Sequence, residues 1–519
     1  MPTGSSAGDD DFQLVGHVVG WTLGTHDHDL NCEMGKVGTF SRLCFPHQDL
    51  FPAPRGPRPV SIQNKNLSDH GQLARDILRS GPASHPLESP LKVDPQTSKA
   101  SSTTLPPPHR NSMTSVEKAQ QYILQTYGRF PLTVARGKGT RVWDDAGREY
   151  LDFCAGIATC SLGHCHPALT AAIARQCNLL MHCSNLYHIP GQADLAELIV
   201  EKILARPGKV FFANSGAEAN DGLIKLARRF GQATGRYEII TFHQSFHGRT
   251  IGSMSATAQA KIREGFDPLL PGFRYLEANH LEAVEAALND KTVAFLVEPI
   301  QGEGGVNPMT REFLEGLAAL AKTHNLLLLL DEVQAGFGRT GNLNGFETIA
   351  PGLAPDAISW AKGMGGGFPI GAFWVAEQYT SLLGPGSHGS TYGGNPLACA
   401  ASRAVIETIL TADLPANARA RESQIRDTIA SWKHPAISDI RGHGLLLGIE
   451  LAPDTIPTPD GVTPAIHFCR LLMDQGLLVP PAGPQTIRLL PPLTVTEREV
   501  EQALKILKDC LNASSRETA

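Results

Sequence analysis

The stretch Leu326-Leu-Leu-Leu-Leu-Asp331-Glu-Val-Gln334 decides the fold class. Its run of consecutive leucines predicts a strand that is buried on both faces, as the strands of parallel sheets are. In open sheets of parallel strands covered by helices, ligands bind at the carboxyl ends of the strands. Asp331 stands at that end, so we expect it to face a ligand site.

A second stretch, Ser359-Trp-Ala-Lys362-Gly-Met-Gly-Gly-Gly-Phe-Pro369, has the same form. Asp356-Ala-Ile-Ser-Trp360 predicts a short buried strand, and Lys362 stands just beyond it. An acid and a lysine at two strand ends indicate pyridoxal phosphate: the lysine would hold the cofactor as a Schiff base, and the acid would keep the pyridine nitrogen protonated. Each residue alone has an ordinary alternative, a helix-capping or loop carboxylate for Asp331 and a solvated surface lysine for Lys362.

The composition is ordinary for a soluble globular enzyme. Of 519 residues, 42% are hydrophobic and 18% are charged, and the length allows two or three domains. The 45 basic and 51 acidic residues give a net charge of −6 without a basic block. This balance argues against nucleic acid or an anionic membrane as the main partner, and no apolar run is long enough to span a bilayer.

The 10 cysteines are scattered singly, without a Cys-x-x-Cys pair, which is typical of reduced thiols in a cytosolic or organellar enzyme. Gly163-His164-Cys165-His166-Pro167, with Cys160 nearby, raises the alternative of a metal site. Its spacing is too tight for a zinc ribbon or finger, and no second cluster completes it. We therefore predict no metal.

Residues 1–112 differ from the rest, being rich in Pro, Ser, Gly and His with few periodic apolar segments. Such a stretch buries too little apolar surface to offset its ordering entropy, so we predict a disordered or targeting extension. Asp9-Asp-Asp11 argues against a secretory signal, whereas the arginines between residues 40 and 85 suit a transit peptide better. We assign the remainder to an N-terminal part of a small domain (113–166), a large cofactor-binding domain (167–395) and a C-terminal small domain (396–519).

From residue 209 to about residue 375, predicted strands and helices alternate. This rhythm predicts an α/β fold with a mostly parallel sheet and helices on both faces. A smaller α+β region follows Pro396, and its terminal helix starts with the capping-box pattern Thr496-x-x-Glu499.

Asn214-Ser215-Gly-Ala-Glu218 follows one of these strands and opens a helix. Ser215 and Glu218 have capping-box spacing, and Gly216 has no Cβ to block a close approach. A helix N-terminus with free amides binds phosphate readily, although a simple capped helix explains the same pattern.

Phe246-His-Gly-Arg249-Thr250 follows the next strand. Phe246 would stack on a pyridine ring, and Arg249 offers a planar fork suited to a carboxylate. The alternatives are a core phenylalanine and a solvated arginine. We expect His247 to support the site rather than act as a general base.

With these motifs in place, the chain resembles the class III (subgroup II) pyridoxal-phosphate-dependent aminotransferases of fold type I, and among them the acetylornithine aminotransferases. The resemblance runs from about residue 116 to residue 511. It rests on the motifs Asp152-Phe-Cys-Ala-Gly-Ile157, Leu162-Gly-His-Cys-His-Pro167, Ser184-Asn-Leu-Tyr187, Ser215-Gly-Ala-Glu-Ala-Asn220, Phe246-His-Gly-Arg-Thr250, Glu298-Pro-Ile-Gln-Gly-Glu-Gly-Gly305, Asp331-Glu-Val-Gln334, Lys362 with its glycine-rich sequel, Gly389-Ser-Thr-Tyr-Gly-Gly-Asn-Pro396 and Arg488.

The resemblance implies roles for the residues that match. Lys362 would hold the cofactor and move a proton between the substrate carbon and the cofactor's C4′, and Asp331 would pair with the pyridinium nitrogen. The other cofactor contacts would be a ring stack from Phe246, a bond to the phenolic oxygen from Gln334, and phosphate contacts from Ser215, Gly216 and Ala217. Thr391 would reach the phosphate of a neighbouring subunit, which implies a homodimer with shared active sites. Ser390 would touch the substrate.

The family's substrates are an amino donor and then 2-oxoglutarate, which use one site in turn. By resemblance, Arg249 takes the carboxylate remote from the reacting carbon and Arg488 the carboxylate next to it. Glu303 would neutralise Arg488 while the donor's reacting end carries no carboxylate. A buried arginine without a partner costs several kcal/mol, so such a gate is physically reasonable.

One departure bears on the donor. Ornithine-type relatives place a tyrosine before the Gly-His-x-His motif to hold a free α-amino group, and Ile157 stands there in this chain. An apolar residue favours a donor whose α-nitrogen is acylated.

The expected reaction is transamination of N2-acetyl-L-ornithine with 2-oxoglutarate to N-acetyl-L-glutamate 5-semialdehyde and L-glutamate, in arginine biosynthesis. The alternatives are another ω-amino donor (ornithine, 4-aminobutyrate, succinylornithine or a specialised biosynthetic amine), a non-catalytic scaffold with the same fold, and a His/Cys metalloprotein. The family resemblance favours the mitochondrial matrix, with the cytoplasm as the alternative.

Overall fold

A computed structural model describes residues 113–516, and the predicted extension 1–112 lies outside the described residues. The leucine run forms a strand, as predicted, and all five residues of Leu327–Asp331 are buried. The strands are β1 (Val134–Lys138), β2 (Arg141–Asp144), β3 (Glu149–Asp152), β4 (Gly208–Ala213), β5 (Glu238–Phe242), β6 (Phe273–Leu276), β7 (Thr292–Val297), β8 (Ile300–Gln301), β9 (Asn307–Pro308), β10 (Leu327–Asp331), β11 (Ala357–Trp360), β12 (Gly371–Ala376), β13 (Ile437–His443), β14 (Leu446–Leu451), β15 (Leu477–Leu478), β16 (Pro481–Ala482) and β17 (Thr486–Leu489).

The helices follow the predicted alternation with these strands. They are α1 (Ser115–Tyr122), α2 (Pro167–Cys177), α3 (Pro190–Leu198), α4 (Gly216–Gly231), α5 (Ile251–Ala256), α6 (Ala260–Arg263), α7 (Leu281–Ala287), α8 (Arg311–His324), α9 (Gly345–Ile349), α10 (Pro396–Thr411), α11 (Leu414–Trp432), α12 (Pro464–Asp474) and α13 (Glu497–Arg516). A π-helical segment, Ile199–Leu204, continues α3, and 3-10 turns cover Gln232–Thr234, Lys362–Gly365 and Glu377–Leu382. The short helical segment Ala155–Ala158 has positive φ at every residue, from 45° to 63°.

The central sheet has seven strands in the order β4-β12-β11-β10-β7-β5-β6. The pairs between β11, β10, β7, β5 and β6 are parallel, which confirms the predicted mostly parallel α/β fold. The exception is β12, which runs antiparallel to both of its neighbours. The link from Trp360 to Gly371 is too short for the crossover that a parallel strand would need.

Two smaller sheets lie outside the central one. β13, β14, β17 and β16 form an antiparallel sheet in the C-terminal part of the chain. β1, β2 and β3 are joined by β15, which pairs in parallel with β3, so the N-terminal strands share a sheet with a C-terminal strand. The domain boundaries at residues 166 and 395 stay a prediction.

The terminal helix α13 starts as its sequence predicts. The Thr496 N–H donates to the Glu499 carboxylate at 2.9 Å, and the Glu499 N–H donates to Thr496 Oγ1 at 3.3 Å. None of the helices in residues 113–516 has both the length and the apolar character needed to cross a bilayer.

Candidate active site

A cavity of about 400 Å³ lies at the carboxyl ends of the central strands. Most of the residues that line it lie at or just after the ends of β4, β5, β7, β10 and β11 in the sequence. Most of the predicted site residues line it, namely Ser215, Gly216, Ala217, Phe246, Arg249, Asp331, Gln334 and Lys362.

Asp331 ends β10, and three donors fix its carboxylate. Oδ2 accepts from Asn220 Nδ2 at 2.7 Å and from His247 Nδ1 at 2.8 Å, and Oδ1 accepts from the Val333 N–H at 3.0 Å. The residue is 4% exposed. These bonds hold the carboxylate in a single orientation, and they place His247 in the supporting position that the sequence predicted for it.

Lys362 follows β11 and has a positive φ of 42°. Its amine makes no hydrogen bond or ion pair with any residue among 113–516. Burial lowers the pKa of this amine, Arg488 adds to the effect, and Glu303 and Asp331 oppose it. A lysine whose pKa is lowered is more often neutral, and the neutral amine is the nucleophile.

Ser215 and the first two residues of α4, Gly216 and Ala217, form a binding site for an anion, the anion seat. Ser215 Oγ accepts from the Glu218 N–H at 3.2 Å, but the Glu218 carboxylate accepts from the Asn214 N–H at 2.8 Å instead of closing a capping box. The N–H groups of Gly216 and Ala217 belong to the first turn, where a helix supplies no acceptor. A Cβ on Gly216 would lie 2.8 Å from a Val333 methyl, so glycine is required there.

Phe246 and Arg249 lie on the turn after β5. The Phe246 N–H donates to Glu298 Oε2 at 2.9 Å, which fixes the start of this turn. The Arg249 guanidinium lies 5.5 Å from the centre of the Phe246 ring. Arg249 is exposed and has no ion pair within the described part of the chain, so its fork is available to a carboxylate.

Next to Gln334, the buried Arg488 forms an ion pair with the partly exposed Glu303. Arg488 Nη1 donates to Glu303 Oε1 at 2.9 Å and Nη2 donates to Oε2 at 3.1 Å, a two-pronged contact. Nη1 also donates to Gln334 Oε1 at 3.0 Å and to Gly302 O at 2.9 Å. Arg488 is 1% exposed, whereas the Glu303 side chain is 28% exposed. Burial opposes ionisation of Glu303, but Arg488 and Lys362 outweigh it and lower its pKa to about 2.

Besides Arg488 and Glu303, three predicted residues lie outside this cavity. Ser390 Oγ accepts from Asn214 Nδ2 at 3.1 Å, which keeps Ser390 beside the anion seat. Ser390 and the exposed Thr391 line a second depression. Ile157 is 38% exposed and does not line the main cavity, although Thr159 does. The predicted roles of Thr391 and Ile157 therefore stay predictions.

Glu298, Asn220 and Thr159 line the cavity without having been assigned a role from the sequence. Glu298 follows the buried strand β7, so the strand-end rule that selected Asp331 could also have selected it. Burial and the nearby Asp331 carboxylate raise its pKa well above the ordinary value. Asn220 closes the motif that begins at Ser215, and Ser359 Oγ donates to its Oδ1 at 2.6 Å.

The His/Cys cluster is built around an ion pair. His164 Nε2 lies 2.7 Å from Asp152 Oδ2, and hydrogen bonds to Asp152 and Cys160 raise the pKa of His164 to about 10. Among residues 113–516, no group of three or more His, Cys, Asp or Glu side chains is arranged to hold a metal ion.

Comparison with known families agrees with this geometry. The model of the aminotransferase class-III family matches residues 122–511. The chain belongs to the class-III aminotransferases. This confirms the predicted family, and its cofactor is pyridoxal phosphate. The cavity fits that cofactor, because an unpaired buried amine, a fixed carboxylate and a helix N-terminus with free amides all face it.

Curated relatives and solved structures extend the comparison of the aminotransferase. An acetylornithine aminotransferase from Nostoc sp. is 45% identical over 410 residues, which cover 76% of this chain and 93% of the relative. One from Thermosynechococcus vestitus is 46% identical over 409 residues, covering 76% and 97%. The solved N-acetylornithine aminotransferase of Stenotrophomonas maltophilia is 35% identical, with a TM-score of 0.65 over 77% of this chain and 98% of that one. The ornithine aminotransferase of Toxoplasma gondii is 32% identical, with a TM-score of 0.72 over 77% and 94%.

Proposed function

We propose that this aminotransferase converts N2-acetyl-L-ornithine and 2-oxoglutarate to N-acetyl-L-glutamate 5-semialdehyde and L-glutamate. The observation that carries the proposal is the Arg488–Glu303 ion pair beside a cavity that the unpaired Arg249 lines. One arginine is permanently available to a carboxylate, and the other is available only when Glu303 leaves it. The names of the curated relatives support the same donor.

The cofactor residues divide the work as follows. Lys362 would hold pyridoxal phosphate covalently through Nζ and move a proton to and from the substrate's reacting carbon. Pyridoxal phosphate, when bound, supplies the electron sink that transamination needs. Asp331 supplies a fixed negative charge, which is worth about 4 kcal/mol against a cation at about 4 Å and an effective dielectric of about 20. Gly216 and Ala217 offer amides to the phosphate.

The substrate residues must serve two molecules of different charge. The reacting end of acetylornithine is a CH₂–NH₃⁺ group, so Glu303 neutralises Arg488 while this donor is bound. 2-Oxoglutarate brings a carboxylate next to the reacting carbon, and this carboxylate replaces Glu303 on Arg488. Arg249 holds the remote carboxylate of either substrate. A buried arginine left unpaired costs several kcal/mol, so the exchange keeps it paired at each stage.

The assignment is tested with a panel of donors on the purified, cofactor-loaded enzyme. With 2-oxoglutarate as acceptor, we expect kcat/KM for N2-acetylornithine to exceed that for ornithine, 4-aminobutyrate and succinylornithine. Glutamate and the semialdehyde should form in equal amounts. A preference for free ornithine would overturn the assignment.

We further propose a homodimer with shared active sites. Thr391 is exposed and does not line this chain's main cavity. Large apolar side chains near it are also exposed, with Leu186 at 87%, Tyr187 at 70% and Tyr392 at 61%. A second copy that covered this face would bury them, and this supports a dimer.

Mixed dimers test the sharing. Lys362→Ala and Thr391→Ala variants should each be nearly inactive alone. When the two are unfolded and refolded together, the mixed dimer contains one site with both native residues, and activity should return. Failure to recover activity from a mixture that forms mixed dimers would contradict shared sites.

For location we propose the mitochondrial matrix, with the cytoplasm as the alternative. The support is the family resemblance and the arginines between residues 40 and 85, which stand among small polar residues. A fluorescent protein fused behind residues 1–112 should enter mitochondria, and a diffuse cytoplasmic signal would overturn this proposal.

A further inference from the structure

Arg441 lies on β13, outside the cavity, and joins the two segments that carry the gate residues. Its Nε donates to Gly305 O at 2.8 Å, two residues after Glu303. Its Nη2 donates to Thr486 Oγ1 at 2.9 Å, two residues before Arg488. One guanidinium therefore connects the backbone beside Glu303 with the strand of Arg488.

The remaining nitrogen of Arg441 anchors it to its own sheet. Nη1 donates to Asp439 Oδ2 at 3.2 Å and also to the Glu450 carboxylate. All three guanidinium nitrogens are thus bonded, and two acidic side chains balance the charge. Because a guanidinium is planar and rigid, its contacts fix each other's direction.

Glu303 lies in the turn 302–306 between β8 and β9, which pair antiparallel. The end of this turn packs on the C-terminal sheet, where Val306 is fully buried. In that sheet Arg441 pairs with Gly448, and Gly448 pairs with Arg488, so the three residues form one row across it. A Cβ on Gly448 would lie 2.8 Å from Val306 Cβ, so the missing side chain makes room for the turn.

We propose that Arg441 is a positioning residue for the gate: it holds the turn 302–306 at the distance from which Glu303 reaches Arg488. The inference rests on the proposed function, because it concerns the donor half of that reaction. Arg441 touches neither the cavity nor the reacting atoms. Without it the turn loses a donor at Gly305 O, and the closed Glu303–Arg488 pair forms less often.

This predicts an unequal effect on the two half-reactions. A donor without a carboxylate at its reacting carbon needs the closed pair, because otherwise it faces the bare charge of Arg488. Glutamate carries its own α-carboxylate to Arg488 and does not need the pair. Both react with the same form of the enzyme, so single-turnover absorbance of the bound cofactor compares them directly.

The test variant is Arg441→Gln, with Arg426→Gln as its matched control. Arg426 also supports β13, donating to Ile440 O at 2.8 Å and to Gly442 O at 2.5 Å, but it does not reach the turn. For Arg441→Gln we expect kcat/KM for acetylornithine to fall about fivefold relative to that for glutamate, as the loss of one hydrogen bond from a charged donor allows. For Arg426→Gln the ratio should change by less than about twofold, because the contacts that are lost hold β13 and not the turn 302–306.

Further variants separate positioning from general support. In Arg441→Lys, the ratio of kcat/KM for acetylornithine to that for glutamate should lie between the values of wild type and Arg441→Gln. Lysine keeps the charge but lacks the planar guanidinium. Thr486→Val should lower the ratio in the same direction, and combining it with Arg441→Gln should give less than the product of the two effects. Amide hydrogen exchange at residues 302–306 of the cofactor-loaded protein should speed up in Arg441→Gln and not in Arg426→Gln.

Equal losses in both half-reactions, or an unchanged ratio with unchanged exchange, would overturn the role of Arg441. These outcomes differ from a failure of the proposed function. If that function is wrong, the wild-type enzyme itself fails to react with acetylornithine, whatever Arg441 does.

Discussion

The cofactor region and the substrate region of this cavity are built in different ways. In the cofactor region, Asp331 and Lys362 follow neighbouring strands of one sheet, and three donors fix Asp331. In the substrate region, Arg249 is exposed on a turn, Glu303 stands in a hairpin turn and Arg488 lies on another sheet. The first arrangement fixes one carboxylate, whereas the second would let an ion pair open and close under the proposed function. The fixed part suits chemistry shared by all substrates, and the changeable part suits substrate choice.

The largest expected effect removes the centre of the cofactor region. Lys362→Ala should lower kcat by about 10⁴-fold or more, because both the covalent link and the proton carrier are lost. Steady-state transamination measures this, together with the loss of the cofactor's absorbance band after dialysis. The exposed Lys322→Ala serves as the control and should behave like wild type.

Asp331→Asn keeps the shape of the cofactor region and removes its charge. Losing about 4 kcal/mol of charge interaction should lower kcat by about 10³-fold for every donor. Stopped-flow rates with saturating cofactor measure the effect. Asp290→Asn, at an exposed position, is the control. A kcat of Asp331→Asn within about tenfold of the wild-type value would contradict the role of the charge.

These cofactor residues were predictable because each follows a buried strand in the sequence, so that a local pattern and the strand-end rule suffice. Five strands of the central sheet, β4, β5, β7, β10 and β11, were predictable for the same reason. The sequence analysis did not predict β6 or β12, and the short link from Trp360 sets the antiparallel direction of β12. The contacts of Arg488 with Glu303 and of Arg441 with Gly305 join distant parts of the chain. No local pattern encodes such contacts, so family resemblance suggested the first pair and only the structure brought out the second.

The gate pair should also be visible in the acid stability of the protein. The pKa of Glu303 in the folded protein is lowered to about 2, so its contribution to stability is present above the unfolded value near 4.5 and is lost as the pH falls towards 2. The full difference corresponds to about 3 kcal/mol. Urea unfolding of wild type and Glu303→Gln should therefore differ by the full amount at about pH 5 and above, and the difference should shrink as the pH falls to about 2. A difference that grows as the pH falls would contradict the assignment.

Glu303→Gln should next change substrate choice more than cofactor chemistry. Without the negative charge, kcat/KM for acetylornithine should fall about thirtyfold relative to that for glutamate, the size of a lost hydrogen bond between charged groups. The cofactor dissociation constant should stay within about twofold of wild type, because Glu303 is not a cofactor residue. An equal fall in kcat/KM for acetylornithine and glutamate would contradict the distinction between the two regions.

The smallest expected effect lies at Ile157. Ile157→Tyr introduces a hydroxyl where ornithine-type relatives hold a free α-amino group, and it should raise kcat/KM for ornithine over acetylornithine by about tenfold. Ile157→Leu keeps the apolar character and should leave that ratio unchanged. An unchanged kcat/KM ratio in Ile157→Tyr would mean that this position does not contact the α-nitrogen of the donor.

We propose that the cofactor region sets the rate for all donors, while the substrate region sets the choice among them. The most direct test is the ratio of kcat/KM for N2-acetylornithine to that for ornithine, measured in wild type and in Asp331→Asn. We expect both values to fall by about 10³-fold while their ratio stays within about twofold. A ratio that falls towards one in Asp331→Asn would show that the cofactor region also sets the choice of donor.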